Sequence, residues 1–429
     1  MERIRINELV IDKPAKIAGC IDILRNTKYM VFVILKDLTG VIQVSIDKGT
    51  QPTLTEEILK ATPGSFISVW GVEKENPHVK LGGKEFIPSK IVVESVANEL
   101  PVDANSFIDQ RIDYRWVDLR TDKNTLIFEV QTLLVNKMRE YLLQKDFLEI
   151  HTPKIIGAAS ESGSEVFELK YFDKKAYLAQ SPQFYKQMAM AAGFDRIFET
   201  GPVFRAEKSY SNKHTTEFTG FDVEFSYIDN MYDVMHLEEE LLTYALKAVK
   251  EKYGNKIKEL YGKEVVVPTC PFPVMKLPDV YKELEKRYGM KFPDAVKGDL
   301  VTEAERKVED LSKEMFNSEF LFITDYDASQ RAFYHMRDKN GVPQGYDLIW
   351  RGCEITTGAQ REHRYEILKK QAEEKGLGKD VEFYLEFFKY GVPPHGGFGL
   401  GVDRLTMLLL GITIKEAMFI FRGPQRLNP

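Results

Sequence analysis

Residues 204–228 read FRAEKSYSNKHTTEFTGFDVEFSYI. Arg205 and Glu207 alternate with apolar positions, so one strand face can present both into a cleft. A polar loop with Lys208, Lys213 and His214 follows, and Glu217 and Phe218 then lead into a second strand. Extended upstream to Arg196, the first arm becomes RIFETGPVFRA; the second is GFDVEFSYI. An arginine can grip a phosphate through two N–H groups, a carboxylate can accept from an adenine amine, and a phenylalanine can stack on the base. A plain hairpin with an exposed ion pair fits the same letters.

Outward from this hairpin, helices and strands follow the same logic. LIFEVQTLLVNKMREYLLQKDF places Ile127, Val130, Leu133, Leu134, Met138 and Leu142 at helical spacing, and MYDVMHLEEELLTYALKAVKEKY reads as a second helix. Adjacent strands with tight connections and helices gathered elsewhere point to an α+β domain with a largely antiparallel sheet. Three further clusters carry chemistry. YDLIWRGCEITTGAQREHRYE (346–366) holds Asp347 and Glu354, on opposite faces of any single regular strand. A bulge or turn near Gly352 is needed to bring both to one Mg²⁺, and Arg361 beyond Gly358 can meet a carboxylate. GGFGLGVDR (396–404) lacks the spacing of a dinucleotide loop. Its glycines suit packing, or close approach to a phosphate with Arg404 beyond them. YLAQSPQFYKQ (177–187) sets Gln180, Gln183 and Lys186 among apolar neighbours; alone, Lys186 reads as a surface lysine.

Residues 1–100 read differently. KIAGCIDIL, YMVFVILKD, GVIQVSID, SFISVWGVEK and KIVVESV are short, β-branched segments separated by turn formers. A helical insert, TLTEEILKA, precedes the fourth. That is the order of an OB-fold barrel, though any small β-barrel remains open at this point. The polar stretch 101–125 reads as a hinge, and 126–429 as the second domain. At 429 residues, two domains are the natural expectation against roughly 150 residues for one. Lys plus Arg is 59 and Asp plus Glu 65, a net charge of −6, which argues against coating nucleic acid through bulk charge. Three well-separated cysteines exclude a disulfide framework, and no apolar run is long enough to span a bilayer. A cytoplasmic protein without membrane attachment is expected.

Together and in this order, the clusters resemble a class II aminoacyl-tRNA synthetase of the archaeal/eukaryotic aspartyl type. FLEIHTPKI (147–155) looks like motif 1, FRAE with HTTEF like motif 2, and GFGLGVDR like motif 3. QSPQFYKQ and EITTGAQR look like aspartyl rather than asparaginyl forms. The resemblance covers essentially the whole chain and implies an N-terminal OB-fold anticodon domain, ATP and Mg²⁺ in the reaction, and a homodimer. It implies that Arg205 holds the α-phosphate, Glu207 reads the adenine amine, Phe218 stacks on the ring and Arg404 holds the γ-phosphate. His214 becomes a further phosphate contact, and Asp347 and Glu354 the Mg²⁺ ligands. Lys186 and Arg361 grip the side-chain carboxylate of L-aspartate, with Glu165 near the α-amino group and Gln183 close by. Phe32 and Gln43 meet the anticodon, joined by Arg25. The acceptor implied is tRNA(Asp), with tRNA(Asn) open as a second.

Some positions depart from the family. Asp403 stands where a glutamate is usual, Phe421 and Gly423 replace a proline and an acid in the tail, and GCID (19–22) replaces a Trp-rich segment. Two alternatives use the same fold. An asparaginyl-tRNA synthetase is disfavoured by two cations, Lys186 and Arg361, facing a neutral amide. A tRNA-independent asparagine synthetase generally lacks the N-terminal barrel.

Overall fold

The computed structural model describes residues 2–157, 166–208, 213–377 and 381–429. Its contacts divide the chain into two compact units, Met1–Arg120 and Thr121–Pro429.

In the first unit, β1 (Pro14–Asn26), β2 (Met30–Asp37), β3 (Gly40–Asp47), β4 (Phe66–Glu75) and β5 (Lys84–Ser95) form a closed barrel in the order β1-β2-β3-β5-β4. The helix Pro52–Ile58 falls between β3 and β4, as the letters anticipated. Alternate residues fill the interior: Ile17 and Ile21, Val31, Val33 and Leu35, Ile42, Val44 and Ile46, Ile67 and Val69 are all buried. This is the OB-like arrangement. The stretch read as a hinge is built in part. Short helices occupy Ile108–Asp113 and Arg115–Asp118, and buried Arg115 pairs with Asp118 at 2.5 Å. Arg120 donates to Gly64 O at 3.2 Å and lies over the Phe66 ring, so residues up to 120 group with the barrel.

In the second unit, the helix Asp122–Leu143 begins on Thr121, whose hydroxyl accepts from Asn124 N–H at 3.2 Å. Ile127, Val130, Leu134, Met138 and Leu142 are buried, while Leu133 is only partly so. An eight-stranded sheet follows the order β12-β13-β14-β15-β16-β11-β10-β6. Its members are β6 (Leu148–Glu149), β10 (Arg196–Phe204), β11 (Glu217–Ser226), β12 (Val274–Lys276), β13 (Phe320–Thr324), β14 (Gly345–Trp350), β15 (Cys353–Gln360) and β16 (His395–Gly401). Only the edge pairs β12/β13 and β6/β10 are parallel; the middle is antiparallel. Beside it, β7 (Ile155–Ile156), β9 (Lys174–Leu178) and β8 (Glu168–Tyr171) make a small second sheet.

One sheet face packs on the helices. Phe221, Val223, Leu348, Trp350, Phe398 and Leu400 join Leu126, Val130, Leu241, Leu242, Ala245 and Leu246 in one core. Strand alternation sends Asp222, Glu224 and Asp347 to the other face. That face carries the site. No helix among the described residues is long and apolar enough to cross a membrane.

Candidate active site

Arg205, Glu207, His214, Phe218, Glu354 and Arg404 line one cavity, which has about 770 Å³ of empty space with its open mouth included. The sequence scattered them over two hundred residues; β10, β11, β15 and the helix Val402–Leu410 bring them together. The Arg205 guanidinium lies over the Phe218 ring at 5.4 Å, and the Arg205 backbone N–H donates to Thr216 O at 2.9 Å. Arg404 donates to Glu354 O at 2.8 Å. His214 is half-buried, and burial, with the Arg404 charge added, holds its imidazole below the ordinary value. Neutral at physiological pH, it can serve as a hydrogen-bond donor.

The turn anticipated between Asp347 and Glu354 is present. β14 and β15 form a hairpin through Arg351 and Gly352, both at positive φ, and the register slips between Leu348 and Ile349. The Thr357 hydroxyl lies 2.8 Å from Asp347 Oδ1 and 3.3 Å from Glu354 Oε1, so one hydroxyl lies within reach of both acids. Burial and then the Asp347 charge push the Glu354 carboxyl up to about 7. A buried carboxyl raised by a neighbouring carboxylate suits a divalent cation with oxygen ligands. Among the described residues no three His, Cys, Asp or Glu side chains cluster as a metal cage. An ion held here would complete its shell with water or substrate oxygens, which is the habit of Mg²⁺.

The glycine run divides between its two readings. A Cβ on Gly397 would lie 2.0 Å from Val223 O, so this glycine serves strand packing. Gly399 instead borders the cavity, where a Cβ would meet Asp222 at 3.0 Å.

Lys186, Gln183 and Arg361 lie in a buried layer and are not among the residues that line the cavity. Lys186 Nζ is 2.9 Å from Asp222 and 3.4 Å from Glu224. Arg361 Nε donates to Glu224 Oε1 at 3.0 Å and a second N–H donates to Gly397 O at 2.9 Å. Burial pushes the Glu224 carboxyl up, but Arg361 and Lys186 outweigh it and leave it below its ordinary value. Asp222, which borders the cavity, connects this layer to it. Gln183 donates to Gln187 Oε1 at 3.0 Å; Tyr384 donates to the same oxygen at 2.9 Å, and His395 Nε2 lies 2.9 Å from Gln187 Nε2. Glu165 lies outside the described residues.

Sequence reading missed several participants. Asp222 and Glu224 were quoted in FDVEF, where period two already put them on one face. Arg331, which pairs with Asp347 through two N–H groups at 2.8 and 2.6 Å, has no local signal.

In the barrel, Arg25, Phe32 and Ser45 pair across β1, β2 and β3, and Gln43 donates to Ser45 Oγ at 3.1 Å. Phe32 and Gln43 alternate with buried neighbours, so both face outward beside exposed Arg25. The three anticodon candidates share one outer face.

Residues 108–421 match the family tRNA synthetases class II (D, K and N). The chain is 40% identical over 425 residues to the aspartate–tRNA(Asp/Asn) ligase of Methanopyrus kandleri, covering 96% of each. It is 38% identical over 437 residues to the aspartate–tRNA(Asp) ligase of Pyrococcus furiosus, covering 99% of this chain and 98% of that one. Among solved structures, asparaginyl-tRNA synthetase from Pyrococcus horikoshii complexed with asparaginyl-adenylate superimposes with a TM-score of 0.90 at 31% identity, over 100% of both chains. A putative aspartyl-tRNA synthetase from Leishmania major Friedlin gives 0.84 at 30% identity, over 99% of this chain and 92% of that one. By these matches and by the site they share a fold with, the chain belongs to the class II aminoacyl-tRNA synthetases of the D, K and N group and is an aminoacyl-tRNA ligase that uses ATP as substrate.

Proposed function

We propose that the chain activates L-aspartate with ATP and transfers it to tRNA(Asp), and that it charges tRNA(Asn) as well. The buried quartet of Lys186, Asp222, Glu224 and Arg361 carries the choice of amino acid. Two cations there face two acids. Asp222, at the cavity wall, suits the substrate's α-ammonium; once so engaged it leaves two cations against Glu224 alone. The surplus positive charge matches the side-chain carboxylate of aspartate. A carboxamide would leave it uncompensated in a buried layer. The relatives at 40% and 38% identity with aspartate in their names support the same choice.

Adenylation is an in-line displacement by a carboxylate that is already a nucleophile at neutral pH, so no general base is needed. Arg205 would hold the α-phosphate where charge develops, Arg404 the γ-phosphate, and Glu207 and Phe218 the adenine. Asp347 and Glu354 would hold Mg²⁺, which when bound neutralises phosphate charge. The aspartyl group then passes to a ribose hydroxyl at the 3′ end of the tRNA. Arg25, Phe32 and Gln43 would meet the anticodon bases by stacking and edge contacts. The enzyme would work as a cytoplasmic homodimer: Leu143, Leu148 on the edge strand and Ile155 are exposed apolar side chains that a second copy would cover.

The two anticodons share their first two read bases, so rejection of tRNA(Asn) requires a penalty at the third. β1 offers Cys20 and Asp22 at the place where a tryptophan would supply it. Aspartylation of both tRNAs should give kcat/KM values within about a hundredfold of each other, ~2.7 kcal/mol. A larger preference for tRNA(Asp) rejects the dual-acceptor reading, and pyrophosphate exchange stimulated by asparagine instead of aspartate rejects the amino acid.

A further inference from the structure

We propose that Glu305 is a positioning residue that ties the segment bearing Lys213 and His214 to the strand bearing Glu354, and so sets the phosphate end of the cavity. The inference rests on reading this cavity as the ATP site.

Glu305 lies on the helix Thr302–Phe316, whose Ala304, Val308 and Leu311 belong to a satellite core with Leu277, Val280 and Leu321. Its own side chain is only 7% exposed. Lys213 Nζ donates to both of its oxygens, at 2.9 and 2.6 Å, and the Glu354 N–H donates to Oε1 at 2.7 Å. The Glu354 carbonyl accepts from Arg404 at 2.8 Å. The main chain at Glu354 is thus gripped on its N–H by Glu305 and on its carbonyl by Arg404. Lys213 and Glu354 both line the cavity, and Glu305 binds both from behind it.

The backbone is shaped for this approach. Gly352, at φ +68°, sits in the β14–β15 turn, where a Cβ would lie 2.8 Å from Arg306 O and 3.1 Å from Arg306 Cα. A side chain there would push the helix away and take Glu305 with it. Lys213, Arg205 and Arg404 line the cavity together with His214, and like charges gain nothing from one another. A buried carboxylate that pairs with Lys213 fixes that lysine while leaving the arginines to the phosphates. Loss of Glu305 would also leave the Glu354 N–H without its acceptor.

The test uses the full chain with Glu305→Ala, Glu305→Gln, Lys213→Met and the Glu305→Ala/Lys213→Met double variant. Three quantities are read: Kd for a non-hydrolysable ATP analogue with Mg²⁺ by calorimetry, KM for ATP and for aspartate in pyrophosphate exchange, and Tm. Glu305→Ala should weaken analogue binding and raise KM for ATP about tenfold with KM for aspartate unchanged, and the double variant should lose no more than Glu305→Ala alone. Glu305→Gln keeps an acceptor for the Glu354 N–H but no charge for Lys213, and should fall about midway on a logarithmic scale. It also keeps the shape of the side chain should Glu305→Ala fail to fold. Losses that multiply in the double variant, KM values that rise together, or a lower Tm with unchanged Kd overturn the proposal. Analogue binding needs no amino acid, so a wild-type chain that binds it but is not stimulated by aspartate sinks the aspartate reading and leaves this one standing on Kd.

Discussion

At the proposed nucleotide end of the site, Arg205 rests on Phe218 and Arg404 donates to a backbone carbonyl; among the described residues, neither has a carboxylate within ion-pair distance. At the amino-acid end, Lys186 and Arg361 are 1% and 3% exposed and meet Asp222 and Glu224 at 2.9–3.4 Å. The same residue types therefore work in two ways. The first end waits for an anion, and a ligand gains by neutralising charge. The second is already neutral, so a ligand must exchange partners with groups in place, and selectivity follows from which charges remain unmatched.

Breaking the neutral end should cost most. Arg361→Leu leaves Glu224 buried with Lys186 alone, and the expected loss in aspartate activation is about 3–5 kcal/mol, more than a hundredfold. Binding of the Mg²⁺–ATP analogue should survive, because no nucleotide contact is touched. If exchange with aspartate persists, the quartet does not choose the amino acid. Arg361→Lys, which keeps the charge but loses the paired N–H geometry, separates a folding defect from a recognition defect.

At the open end, Arg404→Met removes the proposed γ-phosphate donor and takes a nearby charge from Glu354, but among the described residues it breaks no side-chain ion pair. The rise in KM for ATP should correspond to about 2–3 kcal/mol, roughly thirty- to a hundred-and-fiftyfold, with Tm nearly unchanged. An equal rise in KM for aspartate would mean that the two ends are not separate.

The smallest effect is a pH profile. Glu354, pushed up to about 7 by burial and then by Asp347, takes up a proton as pH falls through that value and takes a charge from the metal-binding pair. KM for Mg²⁺–ATP should rise about tenfold from pH 8 to pH 6 at saturating Mg²⁺. Glu224, held below its ordinary value, stays ionised throughout, so KM for aspartate should stay flat. The sign for stability is opposite. A carboxyl raised on folding contributes stability below the ordinary carboxylate pKa, and that contribution is lost as pH rises through about 7. Parallel changes in both KM values would erase the contrast between the ends.

Two departures in the tail illustrate what single positions conceal. Read one at a time, Phe421 for a proline and Gly423 for an acid are unrelated irregularities. In the fold, a Cβ on residue 423 would lie 2.8 Å from the Phe421 ring, so the missing side chain makes room for the buried phenylalanine. The two departures share one packing contact. Asp403 is another case: its carboxylate accepts from Thr219 N–H at 2.8 Å and Gln131 Nε2 at 3.2 Å, so it braces β11 rather than facing a ligand alone.

What the sequence by itself determined is whatever depends on neighbours a few residues apart. Period two in β10 and β11, the helical spacing from Ile127 to Leu142, the turn near Gly352 and the succession of five short strands with a helix before the fourth were all readable, because these signals lie within a few neighbouring residues. The residues that line the cavity were quotable too, since each lies inside a short, dense motif. Only the tertiary structure decided who partners whom. Arg361 and Glu224 are 137 residues apart, Lys213 and Glu305 are 92 apart, and Arg404 reaches Glu354 across 50. Burial then settles what each charge does, because a cation in water and a cation sealed against two carboxylates share a letter but not an environment.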